Sequence, residues 1–434
     1  MAPVFYKCDQ LCKFVYPKKK FMVDFQRYRL DNGLTLIVHP DPSTPIVTVN
    51  LLYNVGSKHE DPERTGFAHL FEHLMFEGSV NIPTYDTPLQ QAGGENNAFT
   101  SNDITNYYLT LPRENIETAF WLESDRMLGL KLTEEKIRVQ KNVVIEEFNQ
   151  RYRNQPYGDA MMMLRSMAYQ VHPYQWSTIG KDISHIEQAK AEEVKDFFFH
   201  HYAPNNAILT VVGNMEPKKV KELADKWFGP IPNRELQQKK IPAEPEQKQP
   251  RGKEVTRDVP HDVIYKAYHM SSRNHPDYIP TDLISDLLAN GNSARLYQSL
   301  VKRKKIFSNI DAYITGDIDE GLLIVTGTVA PDKEMKQAEK ELVDELEKLT
   351  QQPVEEQELQ KVKNKVEAVR TFTKTSALHK AMNMAFYELL GDVDRINTEE
   401  EAYRQVSPED IHRVSRQVLD QNNCSTLYYY AKKQ

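Results

Sequence analysis

Cysteine is scarce in this chain: Cys8, Cys12 and Cys424 are the only three in 434 residues. An odd and sparse set excludes a scaffold built on disulfides. Cys8 and Cys12 lack the companion ligands of a metal site and read as ordinary thiols. Long apolar runs are missing too. No stretch reaches the roughly 20 apolar residues that cross a bilayer. The opening MAPVFYKCDQLCKFVYPKKKF has no apolar centre of the roughly 7–15 residues a secretion signal needs. The expectation is a cytoplasmic protein with no membrane partner, or a periplasmic one if a signal was removed. Basic tracts are weak and the net charge is −7, so nucleic acid is not an expected partner. What is present is ordinary for a globular protein: 40% hydrophobic and 27% charged residues. The length exceeds one core, and domains of roughly 100–200 residues make two the natural expectation.

The pattern along the chain repeats. YRLDNGLTLIV, Tyr28 to Val38, alternates around Asn32-Gly33 and reads as a hairpin. Strands are expected at Ile46 to Val55, Ile104 to Leu111 and Ala207 to Gly213. Helices are expected at Glu63 to Phe76, Arg113 to Leu128, Glu134 to Arg151 and Pro217 to Trp227. GPIPNRELQQKKIPAEPEQKQPRG then lacks apolar periodicity and reads as an exposed linker. Beyond it the order recurs: a strand at Val263 to His269, helices at Ile279 to Ala289 and Ala294 to Lys304, then strands at Ile310 to Thr315 and Leu322 to Thr328. The expected fold is α+β: two structurally related α/β-sandwich domains, each a mixed sheet with helices on one face. The expected division is an N-terminal extension (1–22), a first domain (23–228), a linker (229–252) and a second homologous domain (253–434). Setting Gly291 against Gly78 places Asp282, Ser285 and Asp286 where His69, Glu72 and His73 stand. The second copy therefore lacks metal-type residues.

His69-Leu-Phe-Glu72-His73 is H-x-x-E-H. On a helix, positions i, i+3 and i+4 share one face. Two imidazoles one turn apart can hold a single zinc ion, and Glu72 projects to the same side, placed to take a proton from water. Zinc would acidify that water and polarise a peptide carbonyl. The competing reading is a chance spacing on an ordinary buried helix, since Leu70, Phe71, Leu74, Met75 and Phe76 are all apolar. Burying two histidines and a glutamate without a partner is costly, and metal ligation removes the cost. A third ligand is expected from Val143-Val-Ile-Glu-Glu147: Glu147 is the choice and Glu146 the competitor. Adjacent helical residues point about 100° apart, and the sequence does not say which faces inward.

These motifs resemble the family of pitrilysin, insulin-degrading enzyme and mitochondrial processing peptidase. H-x-x-E-H is its inverted-zincin signature. GFAHLFEHLMFEGS, GGENNAFTSNDITNYYLTLP, HPYQWSTIGKDI and HYAPNNAILTVVGNMEP all look like family blocks in family order. The resemblance implies two related α+β domains and one zinc per chain, held by His69, His73 and Glu147, with Glu72 as general base. It implies an endopeptidase acting on unfolded peptides. It also implies that Asn97, Ala98, Phe99 and Thr100 form a strand that accepts substrate backbone, as an exposed edge can.

Two departures matter. Many family members carry a glutamate two helical turns before the ligand Glu, where this chain has Gln140. The family also completes its site with an Arg and a Tyr from a second domain or subunit, in a segment like L-R-x-K-x-x-x-x-Y. Here that segment runs from Leu300 to Ser308, with Val301 and Ser308 in the two positions. The resemblance then implies a homologous partner chain, in a heterodimer or homodimer, that supplies the pair. ANGNSARLYQSL is too short to be the glycine-rich loop of a substrate-recognition subunit. The alternative reading is a non-catalytic zinc-binding scaffold subunit. A small lyase of autoinducer synthesis shares H-x-x-E-H, but nothing here matches it beyond the motif.

Overall fold

A computed structural model describes residues 22–236 and 240–432. Cys8, Cys12 and the expected extension up to residue 21 lie outside the described residues.

The first half holds strands β1 (Gln26–Arg29), β2 (Thr35–Pro40), β3 (Ile46–Tyr53), β4 (Glu95–Thr100), β5 (Thr105–Pro112) and β6 (Ala207–Gly213). Its helices are α1 (Phe67–Leu74), α2 (Asp86–Gln91), α3 (Ile116–Leu128), α4 (Glu134–Phe148), α5 (Ala160–Ala168), α6 (Ser184–Gln188), α7 (Ala191–His201) and α8 (Pro217–Trp227). The second half holds β7 (Arg251–Arg257), β8 (Val263–His269), β9 (Phe307–Ile314), β10 (Leu322–Val329) and β11 (Cys424–Ala431). Its helices are α9 (Tyr278–Ala289), α10 (Met335–Gln351), α11 (Glu356–Thr373), α12 (Ala377–Leu389), α13 (Arg395–Gln405) and α14 (Pro408–Val418).

The sheets run β1-β2-β6-β3-β5-β4 and β7-β11-β8-β10-β9. β2 lies parallel to β6, and every other step to β4 is antiparallel. β7 lies parallel to β11, and every other step to β9 is antiparallel. The second sheet therefore repeats the first strand for strand from β2 to β4, and β1 is an extra strand of the first sheet. In this repeat α9 follows β8 as α1 follows β3.

Each sheet carries the main group of its own half's helices on one face, as expected. Each sheet is covered on its other face by a helix from the opposite half. On β6, Leu209 and Val211 belong to the first core, while Ile208 and Val212 pack with Ala381, Met384 and Ala385 of α12. On the second sheet, Val263, Ile324 and Leu427 pack with Ala160, Leu164 and Ala168 of α5. A strand buried on both faces needs a near-continuous apolar run, which AILTVVG supplies with Thr210 the one polar residue.

Three local expectations shift. Helix α1 starts at Phe67 rather than Glu63, because Gly66 turns left-handed at φ +91° and ends the preceding loop. The helix expected at Ala294 to Lys304 is a π-helical stretch, Tyr297–Arg303. Between Gly229 and Pro250 the described residues form no helix or strand, but they are not a free tether. The Glu244 carboxylate accepts from the backbone N–H of Gln170, Val171 and His172 at 2.7–2.9 Å. Arg251 already belongs to β7, two residues inside the expected linker.

Candidate metal centre

Helix α1 is short and apolar, with Leu70, Phe71 and Leu74 fully buried against the first core. Its other side carries His69, Glu72 and His73. Helix α4 crosses beside it and presents Glu147. The Glu147 Oε2 atom lies 3.6 Å from His69 Nε2 and 3.4 Å from His73 Nε2. The two rings meet edge to face, 4.9 Å between centroids. Ligand atoms of His69, His73 and Glu147 all fall within 4.8 Å of one another, the one such group of three among the described residues. Glu146 points to solvent and joins no such group. Helix phase thus separates the two adjacent carboxylates.

The donor set fits zinc: two imidazole nitrogens and one carboxylate oxygen, with a fourth position left open. Burial lowers the His69 imidazole to about 4, against the pull of Glu147, so it is neutral as a ligand must be. Its buried Nδ1 has no hydrogen-bond partner. Hydrogen bonding from His73, with the nearby His69 and Arg151, holds the Glu147 carboxyl below the usual range against burial. Arg151 Nη1 lies 2.9 Å from Glu147 Oε1 and fixes the oxygen turned away from the histidines.

Glu72 is half-buried and lacks any ion pair as short as those of Glu147. Burial pushes its carboxyl up, while the hydroxyl of Thr100 donates to Oε2 at 2.7 Å and pulls it back. Thr100 ends β4, so the strand expected at Asn97 to Thr100 is tied directly to Glu72. β4 pairs with β5 on one side only and is the outer strand of its sheet. Ala98 packs on the first core and Phe99 on the opposite face. Gln140 donates its amide to Glu77 Oε1. A glutamate there would face a second carboxylate.

Sequence reading missed Glu60. The first turn of a helix leaves backbone N–H groups unsatisfied, and Gly66 has no side chain to cap them. Glu60, 4% exposed, reaches in from the preceding turn. Its two oxygens accept from Gly66 N and Ala68 N, each at 2.9 Å. Burial raises this carboxyl to about 8, against the pull of the N–H groups it accepts from. The cap sits immediately before His69 and sets where the ligand face begins. The only sequence signal was an acidic residue before a glycine and an apolar helix, which many surface loops share.

The metal-free protein carries a pH signature. His59 is held to about 4 by burial and the nearby Lys58, and His69 to about 4 by burial. Histidines of the unfolded chain protonate near 6.5. Between these values the unfolded chain binds protons that His59 and His69 refuse in the folded chain, so these two histidines make stability fall as pH drops from about 6.5 to about 4, while the buried Glu60 carboxyl, raised to about 8, contributes in the opposite sense. In chelator-treated protein, His59→Gln should remove part of that histidine contribution, so Tm should lose less on acidification over this window in the variant than in the parent. Identical slopes for parent and variant would refute the assignment to His59.

Comparison with known proteins gives a consistent picture. Residues 35–182 match the family model described as insulinase, peptidase family M16. Residues 188–366 match the model described as the peptidase M16 inactive domain. The zinc protease PqqE of Helicobacter pylori is 29% identical over 418 residues, 94% of each chain. The crystal structure of a protease from Helicobacter pylori superposes with a TM-score of 0.88 at 29% identity, covering 94% of this chain and 100% of that one. The periplasmic protease PqqL from Escherichia coli shares the fold, with a TM-score of 0.77 at 19% identity over 94% of this chain and 48% of its own.

Proposed function

This chain belongs to the insulinase family of zinc metallopeptidases, peptidase family M16, and from that membership we propose that it is the zinc-bearing subunit of an endopeptidase that cleaves unfolded peptides. The observation that carries the reading is the convergence of His69, His73 and Glu147, with Glu72 beside them on the same helix and hydrogen-bonded to an edge strand. In this reading His69, His73 and Glu147 hold one zinc ion. Bound there, zinc would supply Lewis-acid polarisation of a peptide carbonyl and a lowered pKa for water.

The chain's own residues do the rest. Glu72 accepts the proton of the attacking water on its carboxylate and returns it to the leaving amine. Thr100 keeps that carboxylate turned toward the cluster. The free edge of β4, from Asn97 to Thr100, takes the substrate as an added strand through main-chain hydrogen bonds. Such binding requires an extended segment, which is why folded proteins are poor substrates in this reading.

The ligand assignment has a direct test. Glu147→Gln should weaken zinc binding about 10–100-fold or more, the range even outer-shell partners reach. Glu146→Gln, altered at the exposed neighbour, should leave it unchanged. Competition with a chromogenic chelator measures both. The reverse order of effects would exchange the two roles.

A further inference from the structure

We propose that Asp319, in the half of the chain without metal ligands, is a positioning residue for the reaction, acting through a buried knot under the metal helix and the substrate strand. The inference rests on the peptidase reading for its kinetic arm only.

The knot joins three segments. The first is the turn Gly56–Glu60, which leads into α1. The second is Ser101–Asp103, the tip of the β4–β5 hairpin. The third is the β9–β10 loop of the second half, which reaches across to both. Lys58, 8% exposed, places Nζ 2.7 Å from Asp103 Oδ1 and 2.9 Å from Asp319 Oδ2. His172 Nε2 lies 3.4 Å from the same Asp319 oxygen. Backbone groups close the arrangement: Asp319 N donates to the Tyr174 hydroxyl at 3.0 Å, and that hydroxyl donates to Asp103 Oδ1 at 2.6 Å. Ile318 N donates to Asp103 Oδ2 at 3.0 Å, and Asn102 Nδ2 to Asp317 Oδ1 at 2.7 Å.

Two short paths lead from the knot to the metal centre. Along one, Ser57 N and Lys58 N donate to Ser101 O and Asn102 O at 3.2 and 2.9 Å, and two residues later Glu60 caps α1 just before His69. Along the other, Ser101 leads back one residue to Thr100, whose hydroxyl holds Glu72. Ligand helix and proton-accepting carboxylate are therefore referenced to one point, and the second half supplies part of it. Asp319 is not needed to fill a core, since its side chain is 40% exposed. Hydrogen bonding to His172 and the charge of Lys58 hold its carboxyl well below the usual carboxylate range, so the anion is present throughout the working pH range.

The test is a double-mutant cycle on the full chain with its partner, if one is required. Asp319→Asn should lower kcat about tenfold, within the range of outer-shell substitutions, with KM within about twofold. Thr100→Val should do the same. If Asp319 acts through the hairpin, the double variant is no slower than the slower single one. Independent effects that multiply, or an unchanged kcat, would overturn the proposal. If the parental protein cleaves nothing, the peptidase reading fails, and hydrogen exchange decides this one separately. Asp319→Asn should then speed exchange in residues 66–75 and 95–104 and leave α10 unchanged. Unchanged exchange, or a uniform rise across the chain, would count against it.

Discussion

Glu72→Gln should keep one zinc per chain and lose peptide cleavage by about 10²–10⁴-fold, the usual contribution of a positioned general base. The variant isolates proton transfer from everything else. Glutamine has the shape of glutamate and its carbonyl oxygen can still accept from Thr100, which lies 2.7 Å from Glu72 Oε2. Glu72 is not among the three clustered donors, so the metal affinity should hold. What the amide cannot do is take a proton from water. Burial raises the Glu72 carboxyl and so makes it a better base than an exposed glutamate. A peptide with a quenched fluorophore reports cleavage, and atomic absorption reports zinc. Zinc retained with cleavage undiminished would remove Glu72 from the chemistry and favour a scaffold that merely binds metal.

The parts legible in the sequence were those whose logic is local. H-x-x-E-H needs only the helical period to bring His69, Glu72 and His73 to one side. The repeat was legible because each half spells strand, helix and hairpin in the same order, and the two sheets pair alike. The choice between Glu146 and Glu147 was not legible, because it depends on how α4 is rotated against α1 rather than on either residue's neighbours. The cross-cover of the sheets was hidden for a similar reason. The helices α5 and α12 look like any helix with an apolar face, and nothing in them names the sheet they cover. One trace was visible: β6 is apolar on both faces at every position but Thr210, as a strand covered twice should be. Glu60 and Asp319 act through irregular turns across long sequence separations, which no periodicity records.

A second chain carrying the missing Arg and Tyr should raise cleavage by about 10²–10³-fold over this chain alone, the scale of one lost oxyanion contact. The structure sharpens why this chain does not supply them from the aligned positions. Val301, in the arginine position, lies in the π-helical stretch and packs on the second core. Ser308, in the tyrosine position, is exposed on the edge strand β9, and its hydroxyl donates to Thr328 O at 3.3 Å. Neither can carry a positive charge or a phenol to a developing oxyanion. Glu72 and the three clustered donors would then hold water and metal while the transition state lacks a stabilising contact. The measurement compares the purified chain, the chain co-expressed with a homologue bearing Arg and Tyr at these positions, and the same pair with that Tyr changed to Phe. The Phe pair should fall back toward the lone chain. Equal cleavage by the lone chain and the pair would sink the two-chain reading and leave this chain complete in itself.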